Sequence, residues 1–170
     1  VVEDIKSYFT DKVYDTIIEK GHNKKEIDKI LGEICASAVD HSATFTALKD
    51  SFTLNQTSWK VKETIPFSSE RKCSAVSFEN ENAYYLGAPD FILKDEYKNE
   101  KSKIENYQKK YRVLLLAKSN EKVTEHPKQL EKLAYILIKD VVRKDAKDTL
   151  EFFEREKVEV YEIENKKYTV

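Results

Sequence analysis

The spacing of apolar residues changes partway along this 170-residue chain, and that change limits the possible folds. Between residues 23 and 52 the apolar positions recur every three or four residues, which is typical of amphipathic helices. From residue 59 onward they alternate with polar residues or form compact runs, which is typical of strands. The sequence therefore predicts an α+β fold that mixes helices with antiparallel strands.

Two helices are predicted in the first third of the chain. Asn23 can cap a helix whose apolar face contains Ile27 and Leu31, and Ser42 can cap a shorter helix through Phe52. Residues 1–22 are ambiguous. A strand is suggested by Val1, Val2 and Ile5, whereas a helix is suggested by Val13, Ile17 and Ile18.

Short strands follow, separated by turn residues. The first, from Trp59, is predicted to end at Pro66, and a hairpin turn at 80–82 is predicted between the next two. Pro89 suits a first helical position, so residues 89–110 are predicted to be exposed helix. Two compact apolar runs, YRVLLLAKS and LAYILIKD, predict buried strands. From about residue 137 the pattern becomes strand, helix (143–157), strand (158–163), which indicates a βαβ unit.

Composition excludes several classes of protein. The chain has 30 basic and 31 acidic residues, and this balance argues against a dedicated nucleic-acid binder. No apolar run approaches the roughly 20 residues that span a bilayer, and no signal-peptide pattern opens the chain. Two cysteines are too few for a disulfide framework, which favours a reducing compartment. Because the chain starts at Val1 and contains no methionine, we expect it to be part of a longer protein.

Familiar catalytic motifs are missing from the sequence. It contains neither a phosphate-binding G-x-x-x-x-G-K-[ST] loop nor a G-x-G-x-x-G motif. The three histidines, His22, His41 and His126, are scattered and are predicted to lie at the surface. Cys35 lies on the apolar face of its helix and is predicted to be in the core.

Three short segments could still bind a ligand. Pro66 to Lys72 offers an aromatic ring, hydroxyls and cations, although Phe67 would more often fill a core. Leu86 to Pro89 offers small residues, although Gly and Pro also mark ordinary turns. Arg112 enters an apolar strand, where it could equally be a simple surface charge.

The order of these segments carries a resemblance to a known family. PFSSERKCSAVSF, YYLGAPDFIL, YRVLLLAKS and LIKDVVRKDAKDTLEFF follow one another as in the cytoplasmic loop of cation-pumping P-type ATPases. The resemblance spans roughly residues 40–160. It implies a nucleotide-binding domain, an antiparallel sheet flanked by helices, at residues 1–137. Residues 138–170 would then be a partial phosphorylation-domain segment.

The resemblance also implies roles for particular residues. Phe67 would stack on adenine, and Lys72 would lie at the pocket wall. Gly87 and Ala88 would form a floor that leaves room for the adenine ring. Arg112 would point at the phosphates. Asp40, Thr44 and Ser69 occupy further pocket positions. A hinge role is implied for Asp140 and Arg143, for which helix capping plus a surface charge is an equal alternative.

The implied whole protein is a membrane cation pump that uses Mg-ATP. This chain would be a cytoplasmic domain of that pump, and its partners would be the phosphorylation, actuator and transmembrane domains. It would bind no nucleic acid, and the isolated domain would be a monomer. Some motif positions differ from the family, since Leu86 replaces a common lysine and Val141 replaces a proline. The phosphorylated Asp-Lys-Thr-Gly-Thr motif is absent from the sequence, so we expect ATP binding without turnover.

Two other functions stay open at this stage. The altered position 86 would also suit a nucleotide-free interaction module of the same fold. A small phosphohydrolase would need an N-terminal nucleophile, for which Asp4 is a poor candidate.

Overall fold

A computed structural model of the chain describes residues 9–79 and 82–142, together with the single positions 151 and 155. In these residues six strands form one antiparallel sheet in the order β1-β6-β5-β4-β3-β2. The strands are β1 (Phe9–Ile18), β2 (Val61–Ser68), β3 (Cys73–Phe78), β4 (Ala83–Gly87), β5 (Arg112–Ser119) and β6 (Glu131–Val142). The helices are α1 (Lys24–Ser37), α2 (Ala43–Ser51), α3 (Pro89–Leu93) and α4 (Tyr97–Gln108), with a 3₁₀ turn at Lys94–Glu96. The predicted fold class is confirmed.

Helices cover both faces of this sheet. Apolar residues of α1 and α2, such as Leu31 and Leu48, pack against one face, which includes Leu116 and Ile136. On the other face α3 and α4 pack against a second apolar cluster that contains Leu115. The central strands are therefore buried on both sides, which explains why β5 and β6 contain compact apolar runs instead of alternating ones.

The predicted helix starts are confirmed. The Asn23 side chain accepts a hydrogen bond from the Glu26 amide at 2.9 Å, and the Ser42 hydroxyl accepts one from the Phe45 amide at 3.2 Å. These bonds satisfy amide groups that a helix leaves without an internal partner. Pro89 occupies the first position of α3, where its missing N–H costs nothing.

Two local predictions were wrong. Val13, Ile17 and Ile18 belong to strand β1 and not to a helix, because they pair with the long strand β6. Strand β2 continues through Pro66 to Ser68. A proline is tolerated there because β2 is an edge strand, in which an N–H group need not join the hydrogen-bond ladder.

Several predictions concern residues outside the described ranges. These are the strand at 1–5, the nucleophile alternative at Asp4, most of the hairpin turn, and the helix and strand of the proposed βαβ unit. The predicted domain boundary between residues 137 and 138 falls within β6, which pairs with β1 as far as Val142. The division into two domains stays a prediction.

One buried carboxylate connects α1 to the segment that enters β2. Glu33 is 2% exposed, and it accepts hydrogen bonds from the Lys29 ammonium at 2.8 Å and from the Ser58 amide at 2.8 Å. Burial by itself would raise the pKa of Glu33, but these hydrogen bonds outweigh that effect and hold the pKa below its ordinary value of 4.5. The charged form of Glu33 is therefore stabilised by the fold.

We expect the Glu33→Gln substitution to lower the free energy of unfolding by about 1–3 kcal/mol at pH 7, because it removes charge-assisted hydrogen bonds. Since folding lowers the pKa, the contribution of Glu33 is complete above pH 4.5 and is lost as the pH falls through the folded-state pKa. Urea unfolding of both proteins between pH 7 and pH 3 checks this: the difference between them should shrink only below about pH 4.5.

The exposed Glu105→Gln substitution in α4 serves as the control and should change stability by less than about 0.5 kcal/mol. Equal effects at positions 33 and 105 would contradict the assigned role of Glu33.

Candidate nucleotide site

A large open cavity lies at the end of the sheet where β4 finishes and β3 and β5 begin. Its volume is about 1080 Å³, and its wall is built from these strand ends, from β2 and from the connection between α1 and α2. The wall is mainly apolar, and among the described residues three charged side chains line it: Asp40, Lys72 and Arg112. This size and composition are typical of a small-molecule site.

Phe67 lies on the cavity wall at an irregularity in β2. Ile65 pairs with Ala75 and Ser68 pairs with Cys73, so β2 contains one more residue than β3 over this stretch. Such a bulge redirects a side chain. Phe67 is 52% exposed, so the alternative in which its ring fills the core is wrong.

The turn that connects β2 to β3 is held from outside the cavity by Arg71. Its guanidinium donates to the Pro66 carbonyl at 2.7 Å and forms an ion pair with Glu125 at 3.3 Å. Lys72 ends the turn with a backbone φ of 52°, a conformation that side-chain-bearing residues rarely adopt. The turn places the exposed Lys72 side chain at the cavity, whereas Ser69 is exposed and does not line it.

Gly87 and Ala88 line the cavity where β4 ends. A Cβ atom at Gly87 would lie 2.3 Å from the Lys72 carbonyl oxygen and 2.6 Å from the Cys73 Cα. Gly87 is therefore required by the close approach of the protein's own backbone, whatever occupies the cavity. The Ala88 amide donates to the same Lys72 carbonyl at 2.9 Å, which joins the floor to the turn.

Arg112, the first residue of β5, is the centre of a polar network beside the cavity. Its guanidinium contacts Asp11, lies 3.4 Å from the Asp140 carboxylate, and donates to the Thr44 hydroxyl at 3.3 Å. Thr44 in turn donates to the Asp11 carboxylate at 3.0 Å. The alternative in which Arg112 is a simple surface charge is inconsistent with these contacts.

Asp40 helps to shape the connection between α1 and α2. Its carboxylate accepts a hydrogen bond from the Ser42 amide at 2.7 Å, and Ser42 caps α2. The neighbouring Val39 is 85% exposed and lines the cavity. An exposed valine and an exposed phenylalanine at one cavity are apolar surface that a ligand could cover.

Seven of the eight residues predicted to bind a nucleotide therefore line one cavity: Asp40, Thr44, Phe67, Lys72, Gly87, Ala88 and Arg112. Ser69 is the exception. Asp140 lies next to Arg112 but does not line the cavity, and Arg143 falls outside the described residues.

Three other residues of the wall have no binding role in the sequence predictions. Leu114 and Tyr84 line the cavity from the face of the sheet, and Tyr111 lines it beside Arg112. Tyr111 also stacks on Tyr14 with ring centroids 4.6 Å apart. No local signal distinguishes Leu114 and Tyr84 from ordinary core positions. The one available hint was that Tyr111 directly precedes a strand whose first residue is charged.

Potential nucleophiles and metal ligands are not assembled at the cavity in the part of the chain that the structure describes. Cys35 and Cys73 are buried, and burial raises the pKa of both thiols to about 12, so they are protonated at neutral pH. The prediction for Cys35 is confirmed. Within the described ranges no group of three or more His, Cys, Asp or Glu side chains is placed to hold a metal ion. His41 and His126 are exposed as predicted, but His22 is mostly buried between Glu26 and Glu131.

Comparisons with known proteins agree with the motif pattern. The chain is 30% identical over 141 residues to the probable cation-transporting ATPase exp7 of Streptococcus pneumoniae, a match that covers 81% of this chain and 18% of that protein. It is 28% identical over 139 residues to the calcium-transporting ATPase CtpE of Mycobacterium tuberculosis, with 81% and 17% covered. This chain belongs to the P-type ATPase family. It spans less than a fifth of the length of these two relatives.

The fold is also found in a solved P-type ATPase. The crystal structure of a zinc-transporting PIB-type ATPase matches with a TM-score of 0.57 and 12% identity, over 89% of this chain and 22% of that one. No family model matches the chain. Among the described residues no helix is both long and apolar enough to cross a membrane.

We expect Gly87→Ala to lower the free energy of unfolding by about 1–3 kcal/mol, because the new methyl group would meet backbone atoms that cannot move aside. The matched control is Gly32→Ala in α1, where the methyl group would lie 2.3 Å from the Leu54 Cγ atom, a side-chain atom that can shift more readily than backbone. A helical alanine also gains up to about 1 kcal/mol over glycine, so the loss at position 32 should be smaller.

Urea unfolding of the three proteins without ligand measures both effects. If Gly87→Ala is as stable as the wild type, the backbone at residues 72–73 can move aside and the prediction is wrong.

Proposed function

We propose that this chain is the nucleotide-binding domain of a membrane cation-transporting P-type ATPase and that its cavity holds the adenine of ATP. The observation that carries this proposal is the position of Phe67, half exposed on an apolar wall that Lys72, Gly87, Ala88 and Arg112 also line. An exposed aromatic ring is apolar surface whose removal from water by a ligand is favourable, and a purine can stack on its face.

The proposed roles follow from the chemistry of each side chain. Phe67 stacks on the base, and the small residues Gly87 and Ala88 leave the floor low enough for a flat ring to approach. Lys72 and Arg112 supply positive charge for the ribose and phosphate end of the ligand. Asp40 and Thr44 offer polar contacts at the rim beside the N-terminus of α2, and Ser69 lies too far out to line the cavity itself.

In the whole pump the domain would bind Mg-ATP and present the γ-phosphate to an aspartyl acceptor in the phosphorylation domain. Actuator and transmembrane domains would be further partners, and the domain would lie on the cytoplasmic side of the cell membrane. Phosphoryl transfer requires an acceptor and a bound metal. Because the sequence contains no Asp-Lys-Thr-Gly-Thr motif, we propose that this chain alone binds ATP without hydrolysing it.

We expect Phe67→Leu to weaken ATP binding by roughly 5- to 150-fold, since stacking a base on an aromatic ring contributes about 1–3 kcal/mol. Leucine retains apolar bulk but has no flat face, so the substitution separates stacking from simple burial. Phe67→Tyr retains the ring and should bind ATP within about threefold of wild type. Titration of ¹⁵N-labelled protein with ATP, followed by amide chemical shifts, gives each affinity.

The position control is Val61→Ala, which alters a 43%-exposed residue of the same edge strand outside the cavity and should leave the affinity unchanged. If saturating ATP leaves the amides of Phe67, Lys72 and Gly87 unperturbed, the chain does not use this cavity for ATP. The nucleotide-free interaction module would then be the better description.

A further inference from the structure

The guanidinium of Arg112 is held by an acid that no family motif in the sequence identifies. Asp11, on the edge strand β1, contacts Arg112 directly, and its side chain is 9% exposed. Its second carboxylate oxygen accepts a hydrogen bond from the Thr44 hydroxyl at 3.0 Å. Both oxygens of Asp11 are therefore engaged, and the carboxylate is fixed beside the cavity.

The register of the sheet explains why these charges meet. Asp11 lies directly opposite Asp140 in the β1–β6 pair, and Arg112 lies opposite Ile138 in the β5–β6 pair. Because residues two apart in a strand share a face, all three charged side chains project from the same face of the sheet. Two carboxylates directly across a pair of strands repel each other, and the guanidinium between them offsets that repulsion.

This arrangement changes what Arg112 can offer a ligand. A phosphate group that approaches the guanidinium meets the negative field of Asp11 at the same point, and a mostly buried charge is poorly screened by salt. Lys72 is the one other cation that lines the cavity in the described part of the chain. The charge available to attract phosphates is therefore smaller than the two basic side chains suggest.

We propose that Asp11 is a positioning residue that acts through Arg112 and sets how strongly the cavity prefers nucleotides with more phosphate groups. In the wild-type protein, Asp11 shares the guanidinium and keeps the ratio of ATP affinity to adenosine affinity low, so the base supplies most of the binding energy. This inference rests on the proposed function, because it concerns the phosphate end of the same ligand.

The test compares ATP with adenosine on the wild type and on Asp11→Asn, which removes the charge and retains the shape and one acceptor for Thr44. We expect ATP to bind roughly two- to fivefold more tightly to the variant, which is the upper part of the range for a partly exposed charge interaction. Adenosine should bind both proteins equally within twofold. Affinities come from calorimetry or amide chemical-shift titration at constant ionic strength.

Two further variants show whether the effect acts through Arg112. Asp15→Asn removes a charge from the same strand without altering a contact to Arg112, so it should leave the ratio of affinities unchanged. In the double variant that combines Asp11→Asn with Arg112→Gln, the gain in ATP affinity that Asp11→Asn alone produces should disappear. A purely structural role for Asp11 would instead lower the affinity for both ligands together.

A measurement on the wild-type protein covers the case in which Asp11→Asn fails to fold. The ¹³C resonance of the Asp11 carboxylate should shift on titration with ATP, as phosphates compete for the guanidinium, and should shift much less with adenosine. The inference would be overturned if adenosine binds but the ratio of ATP affinity to adenosine affinity in Asp11→Asn is unchanged or reduced. It would also be overturned if adenosine binds but the Asp11 resonance does not shift when ATP is added. Either result would leave the proposed function standing. Absence of binding by both ligands would overturn the proposed function as well.

Discussion

Burial of the central strands on both faces is the constraint on which the rest of this structure depends. Leu115 and Leu116 are adjacent in β5 and are both fully buried, one against the α3–α4 side and the other against the α1–α2 side. At about 25 cal/mol per Å² of apolar surface, this two-sided burial is the main favourable contribution to folding. It also positions the strand ends that form the cavity.

The edge strands tolerate irregularities that the central strands do not, and two such irregularities lie beside the cavity. An edge strand pairs on one side only, so it can contain a proline or an extra residue without breaking a central ladder. In β2 this freedom permits the bulge around Pro66 that leaves Phe67 exposed. In β1 a similar irregularity leaves Tyr14 exposed, where it stacks on Tyr111 of the cavity wall. The buried central strands form the core, whereas the irregular edge strands expose aromatic rings beside the cavity.

Electrostatics at the cavity depends on the same sheet. Arg112, Asp11 and Asp140 come from three neighbouring strands, and Thr44 from α2 closes the network. A contact of this kind joins segments that are far apart in the chain, so any ligand that competes for Arg112 acts on β1, β6 and α2 together. Under the proposed function, that competition would link nucleotide binding to the end of β6 from which the chain continues.

Much of this could be predicted from the sequence, because local rules decided it. The period of apolar residues determined the helices and most strands, cap residues determined where α1 and α2 begin, and the order of short motifs identified the family. Seven proposed ligand-binding residues could be named because the motifs retain their order along the chain. The bulge in β2 that exposes Phe67, the pairing of β1 with β6, and the Asp11–Arg112 contact were decided by the tertiary structure alone. Each depends on which strand lies at an edge of the sheet or on which residues face each other across strands. These relations join positions that are far apart in the chain, so no local sequence pattern can reveal them.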